Sequence, residues 1–358
     1  MYTNQTAEEL DLMRCTSEGI FKAQNSNWTK FVCILVFFLI FLTFFLSFKA
    51  AKMLKNRNIY SHGSQILLLS TLLNANLNQA VFLEIKVNVS SLSSVKVKYF
   101  QIRQLIHILI NSKDPCKIEF RSSECFYDQS VYAFSNILST ALVSALTCDR
   151  FIAFLFSHIY PMHSKIVSIF LLFLSMFFTL LIHLHTYGGV SRAGYVPSCQ
   201  YPPQLSLDAF DIVNSINFWF ILVNCALTVV ILLLNFNRDK KVKKSVFDTK
   251  IKYNSFENLL TTKAICSITF TQFAFLSFST GAVTIISSIE AGISEEVFHI
   301  VAQSLTGLVY ANVSIPVIIL LKTKQCIEQR RISIDKMTTS TNHADYYMTS
   351  LRASWEKF

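Results

Sequence analysis

The sequence predicts an all-helical membrane protein: a bundle of seven transmembrane helices, amino terminus extracellular and carboxyl terminus cytoplasmic. Three observations carry that prediction. Hydrophobic residues make up 52% of the 358 residues and charged residues 15%, with 32 Phe, whereas soluble domains average about 45–50% and about 25%. The apolar residues gather into long stretches instead of recurring at a helix or strand period, as membrane spans do. The Lys and Arg residues concentrate on alternate connections between those stretches, as the positive-inside rule requires.

The stretches run over about 31–48, 64–84, 126–148, 165–186, 209–235, 262–289 and 297–321. Each is near or above the roughly 17–25 residues that a tilted helix needs to cross a bilayer. Residues 1–30 form the extracellular amino-terminal segment and 322–358 the cytoplasmic tail. In this topology the inner segments hold 21 of the 32 basic residues. The net charge of +10 is therefore a topology signal, with attraction to anionic lipid of the inner leaflet as its one further use. Nothing in it calls for nucleic acid.

Taken in order, residues 1–30 are polar and carry Glu8, Glu9 and Asp11. No cleavable signal peptide is expected there, and the first span serves as its own insertion signal. Lys30 precedes that span, whereas Lys49, Lys52, Lys55 and Arg57 follow it, which sets its direction. The second span carries Asn74, Asn76, Asn78 and Gln79, read as polar packing between helices; with no acidic residue among them, no sodium site is expected. The long connection 86–124 contains an apolar patch, Tyr99 to Ile110, too short to cross. It is expected to form an amphipathic helix with Tyr99, Ile102, Ile106 and Leu109 on one side. Glycosylation sequons at Asn4, Asn27 and Asn88 fall outside, while the one at Asn312 lies within a span and should stay bare.

The third span opens at Cys125 and ends at Asp149-Arg150, 25 residues from the Cys to the Arg. At about 1.5 Å per residue a helix of that length spans about 37 Å, enough to cross a hydrocarbon core of about 30 Å. A thiol then stands at one face and an ion-pairing Asp-Arg at the other. Cys15, Cys116, Cys125 and Cys199 all fall outside, in the oxidising compartment, an even set that allows three pairings or four free thiols. Cys33, Cys148, Cys225 and Cys266 lie in or at the ends of spans, where a free Cys behaves as a small apolar residue. Cys326, just past the last span, is either a palmitoylation site or a plain surface Cys.

Candidate ligand-binding residues are polar side chains in the outer halves of the spans, because such groups face the bundle interior rather than lipid. Asn136, Thr140 and Ser144 form one stripe on the third span; Asp211, Asn214 and Asn217 follow at three-residue steps on the fifth. His299, Gln303, Thr306 and Tyr310 share a face of the seventh, and the fourth adds His183 and His185. The plainer reading of each is an interhelical hydrogen bond, worth about 0.6 kcal/mol.

Other functions fit poorly. The sequence has no nucleophile elbow, zinc-helix motif, phosphate loop or dinucleotide turn, so no enzyme, cofactor or metal site is expected. His183 and His185 are two apart, a strand spacing rather than a helical metal pair. A transporter would keep ionisable residues near the bilayer midplane and show paired repeats, and the spans show neither. A seven-helix ligand-gated channel of the insect odorant type would need its amino terminus inside, against the Lys and Arg distribution.

D-P-C at 114–116, S-S-E-C at 122–125, T-x-D-R at 147–150, K-Y-N-S-F-E-N-L-L-T-T at 252–262 and N-V-S-I-P at 312–316 together resemble the nematode serpentine chemoreceptors of class alpha, the Sra group. The resemblance runs from Cys15 to about residue 330. It implies a G-protein-coupled receptor in the plasma membrane of chemosensory neurons, in their cilia, that binds an external odorant or pheromone and activates a heterotrimeric G protein. The third span is also similar to that of rhodopsin-like receptors, where the outer Cys is tied to the next outer loop and D-R gates coupling. That likeness implies a Cys125–Cys199 disulfide, which leaves Cys15–Cys116, and gives Asp149 and Arg150 the coupling role. Phe151 stands where a Tyr usually follows D-R, Asn312 lies four residues before Pro316 rather than next to it, and Ile319 occupies an expected Tyr position. The third inner loop 236–261, with Arg238, Lys240, Lys241, Lys243, Lys244, Lys250 and Lys252, offers a cationic patch beside the G-protein cleft or simple topology anchoring. The polar tail, with Thr338, Thr339, Ser340 and Thr341 as phosphorylation candidates, is expected to be solvated and irregular.

Overall fold

A computed structural model describes residues 16–56, 60–82, 106–157, 159–188, 190, 192–196, 198–199, 207–245, 249–288, 294–304 and 307–355. Cys15, Asn4, Asn88, Thr306 and the whole 86–105 segment lie outside these residues. In chain order the elements are α1 (Glu18–Asn25), α2 (Asn27–Asn56), α3 (His62–Phe82), β1 (Phe120–Arg121), α4 (Ser122–Leu155), α5 (Tyr160–Tyr187), β2 (Tyr195–Val196), α6 (Leu207–Ser245), α7 (Thr249–Ser288), α8 (Glu295–Ser304) and α9 (Gly307–Trp355). Among the described residues, six helices are long and apolar enough to cross a membrane, on α2, α4, α5, α6, α7 and α9. The second stretch is α3, a 21-residue helix whose Asn74, Asn78 and Gln79 are buried among its neighbours.

The helices pack as an all-α membrane bundle in which α4 touches α3, α5, α6 and α7, and α9 closes the bundle against α2, α3 and α7. Large apolar side chains point outward along α2, α5 and α6, as Phe38, Phe48, Phe173 and Trp219 do, and polar ones turn inward. That inversion is expected where the surrounding solvent is hydrocarbon. Two apolar clusters stabilise the ends. One joins Leu54, Leu67, Leu68, Leu146, Ile265, Ile268, Ile315 and Ile319. The other joins Val32, Val36, Ile40, Phe120, Val196 and Val309 around the Cys125–Cys199 bond.

Helix ends depart from the apolar stretches. The third stretch, 126–148, belongs to a 34-residue helix that continues to Leu155, so Asp149 and Arg150 sit within α4 and not at its end. The fifth stretch is the front of a 39-residue helix, the sixth the back of a 40-residue one. The seventh covers α8 and the start of α9, with residues 305 and 306 outside the description. The expected irregular tail is instead helix, because α9 continues to Trp355. No Gly or Pro follows Pro316 in the sequence, so nothing in its composition ends the helix early.

The connection before α4 is ordered around β1, which pairs antiparallel with β2, Phe120 opposite Val196. Gly194 turns the chain into β2 at φ 94°, a left-handed conformation that favours Gly, and its carbonyl accepts from Ser122 N at 2.9 Å. Residues 106–110 are helical, but Ile108 is the buried side chain while Ile106 and Leu109 are exposed. Within this turn the fully buried position is Ile108, and the neighbouring His107 ring stacks on Phe120 at 4.1 Å between centroids, while Tyr99 and Ile102 lie outside the described residues.

Candidate functional site

Two functional regions lie at opposite ends of α4. At its start, Cys125 is bonded to Cys199, with Cα atoms 5.0 Å apart, and the bond staples α4 to the segment carrying β2. Cys116 is also disulfide-bonded. Above the staple, α1 packs on α8 so closely that a Cβ on Gly19 would meet Glu295 Oε2 at 2.4 Å. Trp28 Nε1 donates to Ser304 Oγ at 2.8 Å, Asn25 Nδ2 to the Ser112 carbonyl at 3.2 Å, and Thr16 N to the Pro115 carbonyl at 3.3 Å. Together these make a cap over this end of the bundle. Within the cap Glu119 is held above the usual carboxylate range by burial, partly offset by the Thr16 hydroxyl.

At the other end, the turn after Leu155 is tight: the Phe156 carbonyl accepts from Ile159 N at 3.0 Å and Tyr160 N at 2.8 Å. Pro161 then starts α5, where a missing N–H costs nothing. The turn returns Tyr160 to Asp149 and Arg150. Asp149 Oδ1 accepts from Tyr160 Oη at 2.7 Å and from Ser168 Oγ at 3.0 Å. Its Oδ2 accepts from Ser64 Oγ at 3.0 Å and from Arg150 Nε at 3.2 Å, and pairs with Arg150 Nη2. The same Nη2 donates to Ser64 Oγ and, at 2.8 Å, to Tyr160 Oη. Ser61 Oγ stands 3.2 Å from the Tyr160 hydroxyl and 2.8 Å from Ser64 Oγ. Three helices therefore converge on one ion pair whose members are only 0% and 3% exposed. Gly63 permits the approach, since a Cβ there would meet the Ser164 carbonyl and Ser168 Oγ, each at 2.3 Å.

Two further ties flank this cage. Arg238 of α6 donates to the Phe154 carbonyl at 2.6 Å and to Ser157 Oγ, holding the last turn of α4. Arg238 is thus engaged within the chain and does not join a free cationic patch; Lys240 lies over the Phe236 ring at 4.4 Å. The side chains of Lys243, Lys244, Lys250 and Lys252 lie outside the description. Glu257 of α7 pairs with Arg330 of α9 at 3.6 Å, both partly exposed. Cys326 is buried at 3% exposure within the apolar cluster at this end, which corrects both expectations for it: it is neither a surface Cys nor open to acylation.

Between the ends, the candidate ligand residues separate. Thr140 is buried, Asn136 half-buried, and Asn136 Oδ1 and Thr140 Oγ1 have no hydrogen-bond partner among the described residues. One turn further out on the same face stands Tyr132, and one more turn gives Asp128, at 7% exposure. Both continue the stripe, and simple i, i+4 counting extended backward from Asn136 would have found them. Asp211 and Asn214 are exposed, whereas Asn217 is half-buried. Three-residue steps turn about 60° short of a full helical revolution each time, so the three side chains do not share one face. His299 is half-buried beside Phe298; the Gln303 side chain and Thr306 lie outside the description. Tyr310 stacks on Phe275 at 6.3 Å between centroids, and His183 Nε2 is 2.9 Å from Ser130 Oγ.

The middle of the bundle is knitted by neutral groups. Asn74 Nδ2 donates to the Ser135 carbonyl at 2.9 Å, Asn312 Nδ2 to Asn78 Oδ1 at 2.8 Å, Gln79 Nε2 to the Val309 carbonyl at 3.2 Å and Gln272 Nε2 to Ser139 Oγ at 3.1 Å. Among the described residues no cluster of three His, Cys, Asp or Glu side chains could hold a metal ion.

Residues 10–355 match the family model described as the serpentine type 7TM GPCR chemoreceptor Sra. Curated relatives from Caenorhabditis elegans agree in length as well as sequence. Serpentine receptor class alpha-27 is 61% identical over 356 residues, covering 99% of both chains. Serpentine receptor class alpha-20 is 31% identical over 354 residues, covering 99% of this chain and 100% of its own. Serpentine receptor class alpha-23 is 30% identical over 355 residues and covers 99% of each.

Proposed function

Because the chain belongs to the Sra family of serpentine chemoreceptors, we propose that it binds an external small chemical and activates a heterotrimeric G protein through the Arg150 end of the bundle. In this reading the disulfide end and its cap face outward and carry any glycans, at Asn4, Asn27 or Asn88. The Arg150 end faces the cytoplasm, as the Lys and Arg distribution favours. The receptor sits in the plasma membrane, in the cilia of sensory neurons. An odorant or pheromone enters between the cap and the Asn136–Thr140 face of α4, with His299 as a further contact.

The observation that carries the proposal is the state of Arg150: a permanently charged guanidinium, almost fully buried within the last turns of a membrane helix. Burying such a pair usually costs more than it returns unless geometry and further hydrogen bonds are excellent. A charge kept withdrawn in a hydroxyl-lined cage is what a resting receptor needs, because ligand need only favour the arrangement in which it is released. The test is expression with a G-protein reporter and a screen of odorants and nematode pheromone fractions. A response that the Asn136→Ala and Thr140→Ala variants shift in potency at unchanged surface level supports the reading. Silence across α-subunit classes from a receptor displayed at the surface contradicts it.

A further inference from the structure

We infer that Tyr160 is the positioning residue that keeps Arg150 withdrawn, and that coupling requires the Tyr160–Asp149 hydrogen bond to open. The inference rests on the reading of Arg150 as the coupling residue. Asp149 and Arg150 are consecutive in a helix, where neighbouring side chains diverge by about 100° and do not face each other. The pair alone is therefore poorly placed to close. Tyr160 supplies what the pair lacks. Its hydroxyl donates to Asp149 Oδ1 at 2.7 Å and accepts from Arg150 Nη2 at 2.8 Å, bridging the two charges from a different helix.

The Tyr160 ring also lies beneath the guanidinium, 5.5 Å from Cζ to centroid, inside the range of a cation–π contact. The residue is 4% exposed and sits on the first turn of α5, at the end of a connection only a few residues long. Any displacement of that connection, or of α5 relative to α4, moves the hydroxyl directly. Ser61 Oγ, one residue before α3, stands 3.2 Å from the same hydroxyl, so the start of α3 is tied to the same point. Ser64 and Ser168 each touch Asp149 as well, but among the described contacts only Tyr160 combines a bond to each charge with ring contact to the guanidinium. The position normally expected to add a hydroxyl, after the Arg, holds Phe151, which is exposed at 45% and contributes nothing to the cage.

Tyr160→Phe separates the roles, since it keeps the ring and its packing and deletes only the bridge. The experiment measures ligand-independent activation with dissociation reporters for the main α-subunit classes, normalised to surface-labelled receptor. The set is the full-length chain, Tyr160→Phe, Asp149→Asn and the double variant Tyr160→Phe/Arg150→Ala. Expected is a rise of about tenfold in basal signal for Tyr160→Phe, the shift that losing one hydrogen bond to a charged group allows when the resting state dominates. The double variant should return to background, which a merely structural role for Tyr160 would not produce. Basal signal that rises in Asp149→Asn but not in Tyr160→Phe overturns the inference and leaves the coupling reading standing. No signal from any member contradicts the coupling reading and the inference with it. Should Tyr160→Phe fail to reach the surface, Ser168→Ala, which removes the other hydroxyl on Oδ1, carries the same expectation and the same refutation.

Discussion

Arg150 is held from three sides, and that decides how its variants should behave. Arg150→Ala leaves Asp149 buried, yet Tyr160, Ser64 and Ser168 still donate to its oxygens. The loss should therefore fall well below the roughly 3–5 kcal/mol of a stranded buried charge, with surface level retained. Arg150→Lys keeps a charge but lacks the planar fork and is expected to couple weakly. At the other end, Cys125→Ser removes a cross-link between residues 74 apart. It should cost a few kcal/mol of stability, seen as reduced surface delivery, and non-reducing peptide mapping should recover Cys125 with Cys199. Glu119 gives a pH test. Burial raises its folded pKa above the unfolded value, so its protonated form favours folding, and that contribution is lost as pH rises through the folded pKa. Glu119→Gln should then flatten the pH dependence of thermal unfolding just above the ordinary carboxylate range; an unchanged profile would show that Glu119 is better solvated than its surroundings suggest. Asp149-Arg150 was legible in the sequence because adjacency is a local signal, whereas the even set of outer Cys left three pairings open and only the likeness to rhodopsin-like receptors singled out Cys125 with Cys199. Tyr160, Ser61, Ser64 and Ser168 were not legible, because a Tyr or Ser near a helix end is ordinary until folding brings it to a charge.

Among the described residues, the helical character of the apolar stretches was legible and the ends of the helices were not. Hydropathy registers where lipid begins, whereas a helix stops where its hydrogen bonding does. Hence α4 runs past Arg150 to Leu155, α6 and α7 extend beyond their apolar stretches, and α9 continues through the polar tail to Trp355. The contact between α3 and α5 supplies a prediction at this scale. Gly63 has no room for a Cβ against backbone of Ser164, so Gly63→Ala must push the two helices apart. A cost of about 1–3 kcal/mol is expected, the usual range for overpacking, read as a lower unfolding temperature in detergent. Normal stability in Gly63→Ala would mean that α3 and α5 pack less closely than described.

The whole molecule is a bundle with two different ends: a stapled cap of short elements around Cys125–Cys199, and an end where side chains of six helices cross-tie around Arg150, Arg238 and Glu257. Composition and charge patterning made the membrane bundle legible, and the motifs made the family legible. The cap was not, because its strands are two residues long and their pairing joins segments that no local pattern connects. The direction of the bundle in the membrane is checked by glycan mapping at Asn4, Asn27 and Asn88, where modification at any of them places the cap outside. Whether signal leaves through Arg150 is decided by one comparison: ligand-evoked G-protein activation by the wild-type chain, Arg150→Ala and Arg150→Lys, at matched surface level and on the same odorant and pheromone panel. A wild-type response that Arg150→Ala abolishes and Arg150→Lys weakens is expected. Full responses from both variants would contradict it.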